Sequence, residues 1–168
     1  MKKTILTLVF IVAAISITHA QVWLGGSVNA QLNKDFKTFT IAPDVGYCFA
    51  NSPFSVACAL EYQGIFSNDE GYSKNLIVSP YFRYDICDIG ERFSMFVDLC
   101  SDIEVLDFGF FDIGLSPGIS FDLTEHWSAE FSYGFLGYQR EKNDDAIEHN
   151  FVLDFKTAAA EFGIYYSF

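Results

Sequence analysis

The chain has 168 residues, enough for one domain, and carries 22 acidic against ten basic residues for a formal net charge of −12. So acidic a chain repels nucleic acid, which removes that class of partner. A hydrophobic content of 51% with 19 phenylalanines would ordinarily announce a large buried core, yet beyond residue 20 there is no unbroken apolar stretch of the roughly 18 residues a membrane helix needs.

Residues 1–20 open with Lys2 and Lys3, run through apolar residues from Ile5 to Ile17 and close on Thr18-His19-Ala20. This is the pattern of a secretory signal peptide, with cleavage expected before Gln21. The apolar run is about 13 residues, short of the roughly 20 of a spanning helix, and no cysteine follows it to carry a lipid. The remaining domain, residues 21–168, would hold eight basic against 22 acidic residues, a formal charge of −14.

From there the apolar residues alternate, the period of a strand with two unlike faces. In residues 22–32 the apolar face is Val22, Leu24, Val28, Ala30 and Leu32, against Gly25, Ser27, Asn29 and Gln31. Residues 39–49 set Phe39, Ile41, Val45, Tyr47 and Phe49 against Thr40, Asp44 and Gly46, and residues 54–62 set Phe54, Val56, Leu60 and Tyr62 against Ser55 and Glu61. The pattern is looser in residues 75–86, where Ile77 and Tyr81 stand on the otherwise polar face with Arg83 and Asp85. It continues through residues 93–102, 111–121, 127–135 and 158–168. Eight strands, an even number of suitable length, predict an all-β, eight-stranded antiparallel up-and-down transmembrane β-barrel.

Periodicity alone does not say which face points out, because a soluble barrel hides its apolar face. Three features favour apolar-out. The strand charges Asp44, Glu61, Arg83, Asp85, Asp98, Asp112, Glu130 and Glu161 all fall on the polar register. Aromatics on the apolar register lie beside the short turns, so that Tyr47, Phe49, Phe54, Tyr84, Phe93, Phe121, Trp127, Tyr166 and Phe168 are expected to form one interface belt. The polar face is also rich in glycine and serine, which suits a crowded narrow lumen.

Connections alternate in length. Residues 50–53, 87–92 and 122–126 read as short periplasmic turns, and residues 64–74 and 138–150 as long extracellular loops. An open edge in hydrocarbon would leave backbone groups unpaired at several kcal/mol each, so strand eight is expected to pair with strand one. Residues 151–155 have the opposite parity to the rest of strand eight, which predicts a bulge near Lys156 or Thr157 or an extension above the membrane.

The chain closes on Glu161, Gly163, Tyr166 and Phe168, a polar residue, a glycine and two aromatics in one alternating strand. With Thr40-Ile41-Ala42-Pro43-Asp44-Val45-Gly46-Tyr47, this resembles the OmpX-like and OmpA-like eight-stranded barrels and the outer-membrane β-barrel domain family labelled porin-like. The resemblance covers essentially residues 21–168. It implies a Gram-negative outer-membrane location and insertion by the barrel assembly machinery, which would read Glu161, Gly163, Tyr166 and Phe168 as its signal. The implied surroundings are outer-membrane lipid and lipopolysaccharide, and a closed barrel needs no second copy. Fold does not supply a role, because family members differ widely.

An eight-stranded barrel is just wide enough for its own side chains, so a general diffusion pore is not expected. Buried like charges are costly, and Arg83 is the one secure base on the inward register. It is expected to anchor an interior charge network with carboxylates drawn from Asp44, Asp98 and Glu130. Enzymatic alternatives rest on two histidines. His149 lies in the last loop, on the side where a lipid A-modifying enzyme would work, and His126 stands beside Ser128 and near Asp122 at a turn. Neither pattern requires catalysis, and no catalytic residue is assigned.

Cys48, Cys58, Cys87 and Cys100 form no well-placed pair and lack zinc-site spacing, and no glycine-rich phosphate loop occurs, so no cofactor is expected. Asp144, Asp145 and Glu148 could hold a divalent cation, although such charge runs ordinarily serve solubility. The reading is a non-enzymatic outer-membrane barrel with a structural or surface-interaction role, meeting an unidentified extracellular partner through its loops. A lipid A-modifying enzyme, a narrow channel and a secreted soluble ligand-binding barrel are the alternatives.

Overall fold

Alternating side chains put one face of every strand on each side of a sheet, and a sheet whose first and last strands meet has no edge left to protect. The computed structural model describes residues 22–32, 36–67, 71–105, 109–143, 146–155 and 160–168. The expected signal peptide and its cleavage point lie outside them.

The chain is an antiparallel meander of β1 (Val22–Leu32), β2 (Phe36–Cys48), β3 (Phe54–Ser67), β4 (Gly71–Ile89), β5 (Phe93–Cys100), β6 (Ile103–Glu104), β7 (Phe110–Asp122), β8 (Trp127–Tyr133), β9 (Phe135–Asn143), β10 (Ala146–Asp154) and β11 (Ala160–Ser167). These eleven segments make eight staves, because β5 with β6 and β8 with β9 are each one stave broken once, and β10 and β11 pair with the two halves, β9 and β8, of one neighbouring stave. The ladder runs round through β7, β5, β4, β3, β2, β1, β11 and β8, and β8 returns to β7. Closure is made by β1 against β11, from Trp23↔Ser167 to Val28↔Phe162, with the Phe168 N–H donating to the Val22 carbonyl at 3.2 Å.

Burial is inverted relative to a soluble domain. Among the described residues the buried set holds eleven polar or charged side chains against seven hydrophobic ones. Leu60, Phe82, Leu99, Ile119 and Ile164 stand on the outer face, each at least 39% exposed. The polar register therefore lines the lumen and the apolar register covers the outside.

Several expected boundaries move. Residues 64–74 and 138–150 are not long loops: β3 continues to Ser67, β4 begins at Gly71, and β9 and β10 pair from Ala146↔Asn143 to Asp154↔Phe135. The backbone groups that loops would have left to water are paired instead. Cys87 is likewise in β4 rather than a turn, because β4 runs to Ile89 and turns at Gly90, whose φ of +76° suits a residue without Cβ. The register shift between Asp85 and Cys87 against β5 absorbs the extra residue.

The parity change in the last stave has a visible counterpart in its neighbour. Gly134 separates β8 from β9 with a φ of +95°, and a Cβ there would meet the Phe155 ring at 2.7 Å. Beyond this break Phe151, Leu153 and Phe155 face outward like Phe162 and Ile164 on β11. The bulge expected near Lys156 or Thr157 falls outside the described residues.

Candidate functional site

Four of the aromatics on the polar register, Trp23, Tyr81, Phe96 and Tyr165, lie in the layer around Arg83, and three of them oppose glycine across the ladder. Trp23 pairs with Gly46, Phe96 with Gly118 and Tyr165 with Gly25. A Cβ on any of these glycines would collide with the opposing ring, so each glycine is the space its ring occupies. The fourth, Tyr81, lies 6.3 Å from Trp23 between ring centroids, and Trp23 packs edge-on to Tyr165 at 5.2 Å.

Arg83 is set into this layer. Its Nε and Nη2 reach the two carboxylate oxygens of Asp98 at 2.8 and 2.9 Å, and its Nη1 lies 2.8 Å from both oxygens of Glu130. Its guanidinium carbon sits 3.6 Å above the Phe96 ring centroid, a stacked cation–π contact. Asp98 is directly across the ladder on β5, whereas Glu130 comes from β8, so the charge cluster ties together strands that are not neighbours. Asp44 stands apart from these ion pairs: its Oδ2 accepts from the Tyr81 hydroxyl at 2.6 Å, and its buried Oδ1 has no hydrogen-bond partner among the described residues.

The cluster divides the lumen. A cavity of about 660 Å³ lies toward the hairpin end, rimmed by Glu104, Phe110 and Glu141, and one of about 520 Å³ lies toward the turn end, lined by Pro53, Asp88 and Asp122. Arg83, Phe96, Glu130 and Tyr165 line both and are the partition between them. Ions on either side face a wall of paired charge and ring.

The C-terminal residues are placed by closure. Glu161 accepts from the Ser27 hydroxyl of β1, Gly163 leaves room for the Tyr165 ring, and Tyr166 packs against Phe168 and Trp127 at 5.1 Å each. The other turn-end aromatics meet in pairs: Tyr47 with Phe49 at 5.5 Å, Phe54 with Tyr84 at 5.2 Å, and Phe93 with Phe121 at 4.6 Å. A second aromatic tier, unread in the sequence, stands at the opposite end of the apolar band: Phe39, Tyr62, Tyr72, Tyr133 and Phe155, with Tyr62 and Tyr72 sharing a 2.6 Å hydrogen bond. Its signal is the aromatics at the far ends of the same apolar registers, of which only Tyr72 falls within a segment expected to be a loop.

Neither histidine is assembled with a nucleophile. His126 Nδ1 lies 3.0 Å from the Ser167 carbonyl and its ring 5.6 Å from Tyr166, which fastens the last stave to the turn before β8. His149 Nδ1 bonds the Tyr138 hydroxyl on the outside of the β9–β10 hairpin. Cys48, Cys58, Cys87 and Cys100 are unpaired thiols, with Cys58 and Cys87 exposed. No group of three metal-ligating side chains occurs among the described residues, and Asp144 and Asp145, expected to act with Glu148, lie outside them.

A closed antiparallel meander of eight staves, apolar outside and charged within, is the fold of a small outer-membrane β-barrel. Among solved structures it matches the backbone structure of the Yersinia pestis outer membrane protein Ail in a phospholipid bilayer nanodisc, with a TM-score of 0.50 and 14% sequence identity over 89% of this chain and 100% of that one. No family model and no curated protein matches the chain.

The ring-over-glycine contacts make one expectation immediate. Gly118→Ala places a Cβ 3.0 Å or less from a Phe96 ring that Arg83 holds from above, and is expected to cost about 1–3 kcal/mol by overpacking. Urea unfolding of the refolded barrel measures it, and Phe96→Leu in the same chain should recover part of the loss.

Proposed function

We propose that the chain is an integral outer-membrane barrel without enzymatic activity, closed to general diffusion, that works at the cell surface through its β9–β10 hairpin. The observation that carries the membrane reading is the inverted burial: a continuous apolar outside between two aromatic tiers, around a lumen of charge. In water such an exposed surface would aggregate, and in lipid it is the solvated face.

At about 2.5 Å of height per residue for a tilted strand, Tyr138 stands about 27 Å above Trp127, close to the height of a bilayer's apolar band. The hairpin beyond Tyr138 and Phe151 therefore projects past the lipid. Within the described residues β10 pairs only with β9, so its other edge offers unmade backbone hydrogen bonds to an added strand. Lipopolysaccharide and an extracellular protein are the surroundings this hairpin would meet, and Glu161, Gly163, Tyr166 and Phe168 would carry the assembly signal.

The test has two arms. Folded protein is expected in the outer-membrane fraction as a band that runs faster unheated than heated; a soluble protein with no shift overturns the membrane reading. Replacing residues 139–150 by a tight turn should keep the shift and lower attachment of expressing cells to protein-coated surfaces. Unchanged attachment removes the surface role and leaves a structural barrel.

A further inference from the structure

The strand charges are sorted by face. Every carboxylate on a described strand lines one of the two cavities, except Glu148, which stands opposite Glu141 on the same lumenal face. Of the five bases on described strands only Arg83 belongs to the partition. Lys37, Lys74, Arg140 and Lys142 fall on the outward registers of Phe39, Leu76 and Tyr138, and all four lie at the hairpin end, Lys142 also reaching the rim of the larger cavity. Among the described residues no ion pair neutralises them, the pairs found being those of Arg83.

On the β9–β10 hairpin these bases meet an apolar ledge. Arg140 lies directly across the ladder from His149, and Tyr138 from Phe151. The Tyr138 hydroxyl bonds His149 Nδ1 and its ring stacks on the imidazole at 5.9 Å between centroids, which holds the imidazole beside the guanidinium with Nε2 left to meet a ligand. Below them Phe151, 77% exposed, and Leu153, 62% exposed, stand further out of the wall than any other apolar side chain among the described residues. Arg140 is two residues beyond Tyr138 and so about 5 Å higher, at the level where the apolar band gives way to headgroups.

We propose that this face binds a phosphorylated glycolipid of the outer leaflet. Arg140 and His149 donate to its phosphate, Lys142 adds charge, and an acyl chain lies along Phe151 and Leu153. The proposal rests on the membrane reading and names the lipid partner of the same hairpin. A guanidinium fork matches two phosphate oxygens, and bases at the rim of an apolar band attract anionic headgroups. A soluble anion would leave Phe151 and Leu153 uncovered, and an uncharged lipid would leave the bases unmatched. One molecule with a phosphate above and a chain below satisfies both.

The full barrel, refolded in uncharged detergent and certified by its unheated gel band, is titrated with diphosphoryl lipid A and, separately, with the same lipid stripped of its phosphates. Native mass spectrometry counts the complexes. Saturable binding of one lipid is expected, at least about tenfold tighter for the phosphorylated form. Arg140→Gln combined with His149→Gln should abolish that difference, and Arg92→Gln at the turn end should leave it unchanged. Equal binding of the two lipids by a barrel that shifts on the gel overturns the proposal and leaves the membrane reading standing, as does a phosphate preference indifferent to Arg140 and His149. Inorganic phosphate that displaces the lipid at the lipid's own affinity also overturns it, since the face would then read a soluble anion. A chain without the gel shift fails the membrane reading itself, and this proposal with it.

Discussion

Arg83→Ala is expected to destabilise the barrel by about 3–5 kcal/mol, because removing one member of a buried charge cluster strands the others. Asp98 gives both oxygens to the Arg83 guanidinium and Glu130 gives both of its own, so the single truncation leaves two carboxylates without their cation. It also empties the seat above Phe96, where the guanidinium carbon lies 3.6 Å from the ring centroid. The measurement is the urea midpoint of the refolded barrel. Arg83→Met combined with Asp98→Asn and Glu130→Gln, which removes the charges together, should recover most of the loss, because neutral groups of similar shape no longer need the ion pair. An unchanged midpoint for Arg83→Ala would mean that lumenal water solvates the carboxylates and that the partition is no structural element.

The alternation legible in the sequence is the part of the fold that physics makes local. A residue on a strand reports its own face, so Val22 to Leu32 reads as β1 without knowledge of its neighbours. Arg83, Asp98 and Glu130 could be assigned to the lumen for the same reason. That they would gather follows only from Arg83 being the one secure base on that register; which carboxylates it meets does not follow, because Glu130 reaches Arg83 through the curvature of a closed sheet, which no spacing along the chain encodes. The residues of the partition show in the sequence only as irregularities. Trp23, Tyr81, Phe96 and Tyr165 break the polar register, and three of them stand opposite Gly46, Gly118 and Gly25 once the ladder is drawn. A large ring on the inward face of a narrow barrel needs an absent side chain across from it, and glycine supplies one. The staves extend further at the hairpin end than the sequence suggests, because the charges of residues 139–143 look like loop chemistry although their backbone remains in the β9–β10 ladder.

Leu60→Arg separates the two environments that an apolar-out barrel could face. Leu60 is 46% exposed, on the outer face of β3 opposite Val78, about 15 Å above Phe54 and so near the middle of the apolar band. In a bilayer an arginine there is expected to cost about 2–4 kcal/mol, while the same change at Phe66, near the hairpin end of the same strand, should cost about 0–1 kcal/mol. On a water-facing surface both changes would be nearly neutral, within about 0.5 kcal/mol. Urea unfolding of the two variants in lipid vesicles reads the difference directly, with Leu60→Ala as the control for lost packing. A penalty that peaks at Leu60 and fades at Phe66 can arise only if the medium outside the strand changes from hydrocarbon to water between them, because both side chains belong to one strand. Equal costs at the two positions would mean a single medium along β3, and the apolar band would then need a protein partner rather than lipid to cover it.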